Sequence, residues 1–289
     1  MIYDLFVAPF AEFAFMRRAL VGAAAIALGG GPMGVFLMLR RMSLAGDAMA
    51  HGILPGAAVG FLVAGLSLPA MTLGGLVAGM IVAVLAGLVT RVTALKEDAS
   101  LAAFYLLSLA LGVTIVSLKG SSVDLLHVLF GTVLALDDAA LVLLAAIASI
   151  TLVVLAILYR PLVLECVDPT FLRSVSRSGT PAHLAFLGLV VLNLVGGFQA
   201  LGTLLAVGLM MLPAAASRFW SADITVMMLI ATGIGLASSL AGLLISYHAE
   251  LPAGPAIILA AGAAYLASLA LGREGGLVWL LAPRRHLEA

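Results

Sequence analysis

The sequence predicts an all-α polytopic membrane protein with eight or nine transmembrane helices. Of its 289 residues, 64% are hydrophobic and 10% are charged, whereas soluble globular domains carry about 25% charged residues. The mean hydropathy is +1.24. Because the interior of a bilayer offers no hydrogen-bond partner to an open strand edge, the apolar segments of such a chain are expected to cross it as helices.

The apolar segments are long enough to cross a bilayer, since about 20 helical residues span its ~30 Å hydrocarbon core. We predict a single integral transmembrane domain over residues 1–289. The segment 119–138 is amphipathic, which favours an interfacial or re-entrant helix. The predicted spans are residues 19–39, 43–64, 70–92, 100–118, 139–159, 182–198, 200–217, 224–247 and 256–271.

Glycines at helical spacing predict close packing in two of these spans. Gly30 and Gly34 lie four residues apart in the first span, and Gly75 and Gly79 do so in the third. Small residues at this spacing let two helix backbones approach closely in lipid. The long apolar stretch 182–217 is interrupted by the polar and glycine-rich run GGFQALG, so we predict two spans there.

Lysine and arginine residues in short loops predict the orientation of the chain, because such loops stay on the cytoplasmic side. With nine spans, most cationic loop residues fall on one side, among them Arg40, Arg41 and Arg218. We assign that side to the cytoplasm. Arg17 and Arg18 do not fit this count, since nine spans place them on the opposite side. If the first segment inserts differently, the number of spans is eight.

A polar pair inside the second span is the main candidate for a functional site. Asp47 and His51 are four residues apart in the stretch LRRMSLAGDAMAHGILPG, so a helix presents both on one face. Gly52 and Pro55 are predicted to break the helix near the pair, and Pro55 leaves the His51 carbonyl without its helical donor. An aspartate near the middle of a membrane costs roughly 2.5–3.5 kcal/mol on insertion scales, so it should face a cavity or a partner.

The residue types of this pair suit a metal ion, since a carboxylate oxygen and an imidazole nitrogen together favour Zn²⁺ or Mn²⁺. The alternative is structural: a hydrogen bond between Asp47 and His51, or an Asp47 placed against the preceding arginine pair. His248 and Glu250, in the run SYHAELPAGP at the outer mouth of the last helix pair, are a second candidate for metal contact. A solvated turn is the alternative for these two residues.

Several functional classes lack their motifs in this chain. There is no G-x-x-x-x-G-K-[ST] run and there are only two lysines, so the chain is not expected to bind ATP as a P-loop motor by itself. H-E-x-x-H and G-x-S-x-G are also missing, and we expect no enzyme activity. The single Cys166 excludes a disulfide framework. The formal net charge of zero gives no support to nucleic-acid binding.

Four stretches, in order along most of the chain, resemble the metal-ion permease subunits of bacterial ABC importers for zinc and manganese. The most specific is GVFLMLRRMSLAGDAMAHGILPG, from Gly34 to Gly56. The others are LHVLFGTVLAL at 126–136, GTLLAVGLMMLPAAASRF at 202–219 and ELPAGPAIIL at 250–259.

This resemblance implies a fold like that of the B12 and siderophore importers in reduced form, located in the bacterial inner membrane. It implies inward transport of a divalent transition metal, zinc first and manganese second, without a permanently bound cofactor. The implied partners are a P-loop ATPase, a periplasmic or lipid-anchored metal-binding protein, a second copy of the chain and the lipid bilayer. The resemblance places the metal-coordinating pair at Asp47 and His51. The implied ATPase-coupling residues are Arg218, Phe219, Trp220, Ser221, Ala222, Asp223 and Ile224.

A stand-alone secondary transporter for a metal or another solute is the alternative function. Such carriers show inverted repeats with broken helices in corresponding halves, and the sequence shows no such internal symmetry. An intramembrane enzyme would need a nucleophile and a base, and no such pair stands out.

Overall fold

The computed structural model describes residues 3, 6–42, 45–65, 67–93, 95, 97–118, 136–168, 171 and 179–278. Over these residues it contains eleven helices. They are α1 (Ala8–Glu12), α2 (Ala14–Leu39), α3 (Ala45–Gly52), α4 (Leu54–Ala64), α5 (Leu68–Val92), α6 (Glu97–Leu118), α7 (Asp138–Val167), α8 (Gly179–Leu201), α9 (Thr203–Ser217), α10 (Ile224–Ala249) and α11 (Ala253–Leu271).

The predicted fold class is confirmed. Among the described residues, seven segments are long and apolar enough to cross a membrane, with α3 and α4 together forming one of them. Two shorter apolar helices lie over Ala99–Ile115 and Thr203–Ser217. The interfacial helix predicted over 119–138 lies outside the described residues, apart from its last three positions.

Local sequence explains where several helices begin. Pro55 and Pro69 lie in the first turns of α4 and α5, where the missing N–H of proline costs nothing because it would have no partner within the helix. The carboxylate of Asp137 accepts a hydrogen bond from the Ala140 N–H at 2.8 Å and caps α7. Asp223 caps α10 in the same way, through the Val226 N–H at 2.9 Å.

The helices form two groups that α8 joins. Helix α2 packs against α7, α9 and α10, and α11 completes this group by packing on α9 and α10. Helices α3 to α6 form the second group. Helix α8 contacts α2, α7 and α9 on one side and α3 and α5 on the other. The short helix α3 therefore lies on the side of the second group that faces α8 and α9.

The glycine contacts predicted in the first and third spans are confirmed. A Cβ atom at Gly34 would clash with the carbonyl oxygen of Met210 on α9. One at Gly79 would lie 2.5 Å from the Val191 Cγ1 atom on α8. A further close crossing was not predicted: Gly56 on α4 and Gly74 on α5 face each other, and a Cβ on either would clash with the carbonyl oxygen of the other. Helices α4 and α5 therefore pack with their backbones in contact.

Arg17 and Arg18, which did not fit the predicted orientation, each contact a nearby group in the structure. Arg17 donates to the carbonyl oxygens of Phe10 and Ala11 at 2.9 Å each and so closes the end of α1. An Arg18 Nη2 atom lies 2.9 Å from the Asp138 Oδ1 atom at the start of α7. These contacts place the beginnings of α2 and α7 at the same end of the molecule.

The fifth span extends further than predicted. Helix α7 continues to Val167, whereas the sequence predicted its end at residue 159 and a polar connection beyond it. Pro161 lies inside the helix without ending it. The part of a helix that extends beyond the bilayer can be polar. The change from apolar to polar residues after position 159 therefore marked the end of the apolar segment and not the end of the helix. The extension brings Glu165 against the end of α2.

Candidate metal site on a broken helix

Asp47 and His51 form the open face of α3. The other six residues of this helix are buried: Ala45, Gly46, Ala48, Met49, Ala50 and Gly52. The side chain of Asp47 is 65% exposed in the single chain and that of His51 is 36% exposed. The His51 Nε2 atom lies 3.8 Å from the Asp47 Oδ1 atom. The structure thus brings the two predicted side chains together on one face.

The separation of these two atoms fits two ligands of one metal ion. Bonds from zinc to histidine nitrogen and carboxylate oxygen are about 2.1 Å long, so the two ligand atoms of one ion lie at most about 4.2 Å apart. The pair supplies one charged oxygen donor and one nitrogen donor. No group of three or more His, Cys, Asp or Glu side chains that could hold a metal occurs among the residues the structure describes. The described part of the chain therefore offers two side-chain ligands here.

The helix breaks directly after the pair. Helix α3 ends at Gly52, Ile53 forms a turn, and α4 begins at Leu54. The sequence predicted that Pro55 would free the carbonyl of His51. The structure shows the neighbouring Gly52 carbonyl accepting a hydrogen bond from the Ser108 hydroxyl of α6, at 2.6 Å. The break is thus bound by a side chain from another helix, which sequence spacing gave no means of finding.

His248 and Glu250 lie at the C-terminal end of α10. Both side chains are exposed, and Glu250 has a left-handed backbone conformation with a φ of 54°. The ring of the adjacent Tyr247 lies 5.7 Å from that of Phe13, which directly precedes α2. This contact places the two residues at the end of the molecule where α2 begins. The structure does not bring them into a group with Asp47 and His51.

The predicted coupling segment, residues 218–224, connects α9 to α10 and is braced by the end of α11. The Trp220 indole N–H donates to the Ser268 hydroxyl at 2.8 Å. The Glu274 N–H donates to the Phe219 carbonyl at 2.9 Å, and the Phe219 and Tyr265 rings lie 6.0 Å apart. The segment is therefore held by α11 as well as by the helices it connects.

On the coupling role that the resemblance implies for this segment, we predict that Gly272→Ala reduces the amount of metal transported per ATP hydrolysed to about half or less. A Cβ atom at Gly272 would lie 2.5 Å from the Phe219 carbonyl oxygen and 2.6 Å from the Ser268 carbonyl oxygen, so the methyl group must push the coupling segment away from α11. Gly262→Ala, within α11, is the matched control, because nothing lies within 4 Å of its added Cβ. Parallel measurement of uptake and ATP hydrolysis checks the prediction, and equal ratios in both variants would contradict it.

A buried ionic cluster lies at the predicted cytoplasmic end and was not found from sequence. We call Arg40, Glu165 and His183 the Arg40 cluster. An Nη atom of Arg40 bonds to the Glu165 carboxylate, and the other lies 2.9 Å from the His183 Nδ1 atom. The guanidinium also lies over the Phe186 ring, 4.6 Å from its centroid. The cluster joins the ends of α2 and α7 to the start of α8.

Comparison with known proteins connects this geometry to transporters. Residues 12–272 match the ABC 3 transport family. The manganese import system permease protein ScaB of Streptococcus parasanguinis is 32% identical over 263 residues, which cover 91% of this chain and 92% of ScaB. The chelated iron transport system membrane protein YfeD of Yersinia pestis is 29% identical over 259 residues, which cover 90% of this chain and 86% of YfeD.

Two solved structures are similar in fold. PsaBC from Streptococcus pneumoniae in complex with Fab has a TM-score of 0.83 at 28% identity, covering 97% of this chain and 99% of the matched chain. An inward-facing conformation of a transporter assigned to the metal-chelate ABC type has a TM-score of 0.68 at 15% identity, covering 88% of this chain and 85% of that one. The second likeness shows the fold alone.

Proposed function

Because the chain belongs to the ABC 3 transport family, we propose that its Asp47–His51 pair binds a divalent transition metal during import. The chain is a transmembrane permease subunit of an ABC metal importer and is not itself the catalytic subunit. An ATPase and a binding protein complete such a transporter. The observation that carries the proposal is the open face of α3, where the two unburied side chains of an otherwise buried helix are a carboxylate and an imidazole.

Two copies of the chain would complete the ligand set. Metal sites of this type use four or more ligands, and the described residues of one chain offer two side chains at this position. In a symmetric dimer the same surface of each copy meets at the axis. Two copies of α3 would then present two carboxylate oxygens and two imidazole nitrogens to one ion. The exposure of Asp47 in the single chain supports this arrangement, since an aspartate within a span should face a polar partner rather than lipid.

The relatives support manganese as the first transported metal. ScaB is named for manganese import and YfeD for chelated iron transport, whereas the sequence alone ranked zinc ahead of manganese. Carboxylate oxygen suits Mn²⁺, and imidazole is accepted by Zn²⁺ and iron as well. The donor set therefore admits all three ions, and we place manganese first, zinc second and ferrous iron third.

Transport would proceed by alternating access to this site. Movement of the ATPase would reach the permease through the coupling segment and the end of α11. The break after Gly52 lets α3 and α4 change their relative direction without breaking regular helical hydrogen bonds. The Arg40 cluster would hold the predicted cytoplasmic ends of α2, α7 and α8 together during this change.

Reconstitution tests the proposal directly. The permease would be placed in liposomes with a candidate ATPase and a candidate metal-binding protein, and the uptake of competing Mn²⁺, Zn²⁺ and Fe²⁺ would be measured. We expect uptake that requires ATP and favours Mn²⁺. Equal uptake without ATP would instead support a stand-alone carrier, and uptake that favours Zn²⁺ would restore the order predicted from the sequence.

A further inference from the structure

One face of α6 packs against the residues on both sides of the break between α3 and α4. The Tyr105 ring lies 6.3 Å from the His51 ring. The Ser108 hydroxyl donates to the Gly52 carbonyl at 2.6 Å. A Cβ at Gly112 would lie 3.0 Å from the Pro55 nitrogen and 3.3 Å from the Leu54 carbonyl carbon. Positions 105, 108 and 112 are spaced by three and four residues and so share one helix face.

The bond made by Ser108 differs from the usual bond of a hydroxyl in a helix. Serine and threonine commonly donate to the carbonyl four residues earlier in their own helix, as Thr114 of α6 does to Ala110 at 2.7 Å. Ser108 is buried and donates across to another helix, 56 residues away in sequence. Its acceptor is a carbonyl at the helix break, where the regular ladder supplies no donor. In a membrane such a carbonyl has no water to bind, so the hydroxyl satisfies it.

We propose that Ser108 is a positioning residue for the metal site. Its hydroxyl holds the carbonyl of Gly52, the residue directly after His51, and thereby limits the direction of the imidazole relative to the Asp47 carboxylate. Tyr105 limits the His51 ring from the same face of α6. Gly112 lets α6 approach closely enough for the Ser108 bond to form. This inference rests on the proposed function of the Asp47–His51 pair and adds the element that holds it.

Direct metal titration tests the role of Ser108. The permease would be purified with its ATPase in lipid nanodiscs and titrated with Mn²⁺ alone, and free Mn²⁺ would be counted by its electron paramagnetic resonance signal. Partners that orient metal ligands are worth roughly 10- to 100-fold in affinity. We expect Ser108→Ala to weaken Mn²⁺ binding about tenfold. Ser108→Thr keeps the hydroxyl and should bind within about twofold of the parent protein. Thr114→Val removes an exposed hydroxyl from the same helix and should change nothing.

The outcomes separate this inference from the proposed function. Wild-type affinity in Ser108→Ala would overturn the inference, and so would an equal loss of affinity in Ser108→Ala and Ser108→Thr, because the hydroxyl would then not be the cause. Asp47→Asn belongs in the same titration: if it binds Mn²⁺ as the parent does, the proposed site itself fails. If Asp47→Asn loses binding and Ser108→Ala does not, only the inference fails.

A second variant covers the case in which Ser108→Ala does not assemble. Gly112→Ala leaves the hydroxyl in place and pushes a methyl group towards Leu54 and Pro55 on the far side of the break. We expect a loss of Mn²⁺ affinity of at least threefold. Gly233→Ala is its control, because nothing lies within 4 Å of the added Cβ. Unchanged affinity in Gly112→Ala would contradict the positioning role of this face of α6.

Discussion

Replacing Asp47 with asparagine is expected to reduce ATP-dependent metal uptake more than about a hundredfold. The substitution keeps the size of the side chain and removes its charge, and in a symmetric dimer it removes two negative charges from one site. Even the outer partners of metal ligands are worth roughly 10- to 100-fold in affinity, so a direct ligand should be worth at least as much. Uptake of radioactive Mn²⁺ into proteoliposomes measures the effect.

Asp138→Asn is the matched control for this experiment. It makes the same chemical change on a carboxylate that is 80% exposed and pairs with Arg18 at the end of the molecule where α2 and α7 begin, so uptake should be unchanged. His51→Ala should reduce uptake to a similar degree. The double variant should be little worse than either single one, since residues that act as one unit are not additive. Normal uptake by an assembled Asp47→Asn transporter would refute the site.

The candidate pair could be predicted because its geometry is local. A spacing of four residues in a helix places Asp47 and His51 on the same face. The apolar composition of the segment shows that this face lies within a membrane span. The sequence also predicted a break near Gly52 and Pro55, and the structure has one helix ending at Gly52 and the next beginning at Leu54. Both predictions depend on neighbours in sequence, and the structure places the His51 Nε2 and Asp47 Oδ1 atoms 3.8 Å apart, a distance that such spacing allows.

The partners of these elements could not be predicted because they are distant in sequence. Ser108 and Gly52 are 56 residues apart, and Trp220 and Ser268 are 48 apart. A buried serine in an apolar helix has the same local pattern whether it binds its own helix or another. Hydropathy fixes which segments cross the membrane and leaves their mutual arrangement open, so contacts between helices require the structure.

The contacts of the Arg40 cluster also could not be predicted, because its charged residues are distant in sequence. Arg40 lies 125 residues from Glu165 and 143 from His183. The sequence treats Arg40 and Arg41 as equivalent cationic residues that mark the cytoplasmic side. In the structure the Arg40 side chain is 7% exposed, whereas Arg41 is exposed and has a φ of 60°. Two adjacent arginines therefore have different roles, one as a buried partner and one at the surface.

Arg40→Met is expected to destabilise the permease by about 3–5 kcal/mol, the usual cost of removing one partner from a buried ion pair. The substitution removes the guanidinium from the Glu165 carboxylate, whose side chain is 20% exposed and whose remaining neighbour in the cluster is the His183 ring, with Nδ1 3.7 Å from Oε1. It also removes the contact with the Phe186 ring. Arg41→Met is the control at the adjacent position and should change stability by about 0.5 kcal/mol or less, as surface substitutions do. The apparent melting temperature of the purified protein measures both effects.

A double variant separates the loss of the pair from the loss of packing. If the uncompensated Glu165 carboxylate causes the destabilisation, Arg40→Met with Glu165→Gln should be more stable than Arg40→Met alone, because no buried charge is then left unpaired. If the double variant is instead as unstable as the sum of the two single ones, the ion pair is not the cause, and the contact of Arg40 with Phe186 accounts for its effect. Because the cluster joins α2, α7 and α8, the first result would make the ion pair the bond that fixes their predicted cytoplasmic ends.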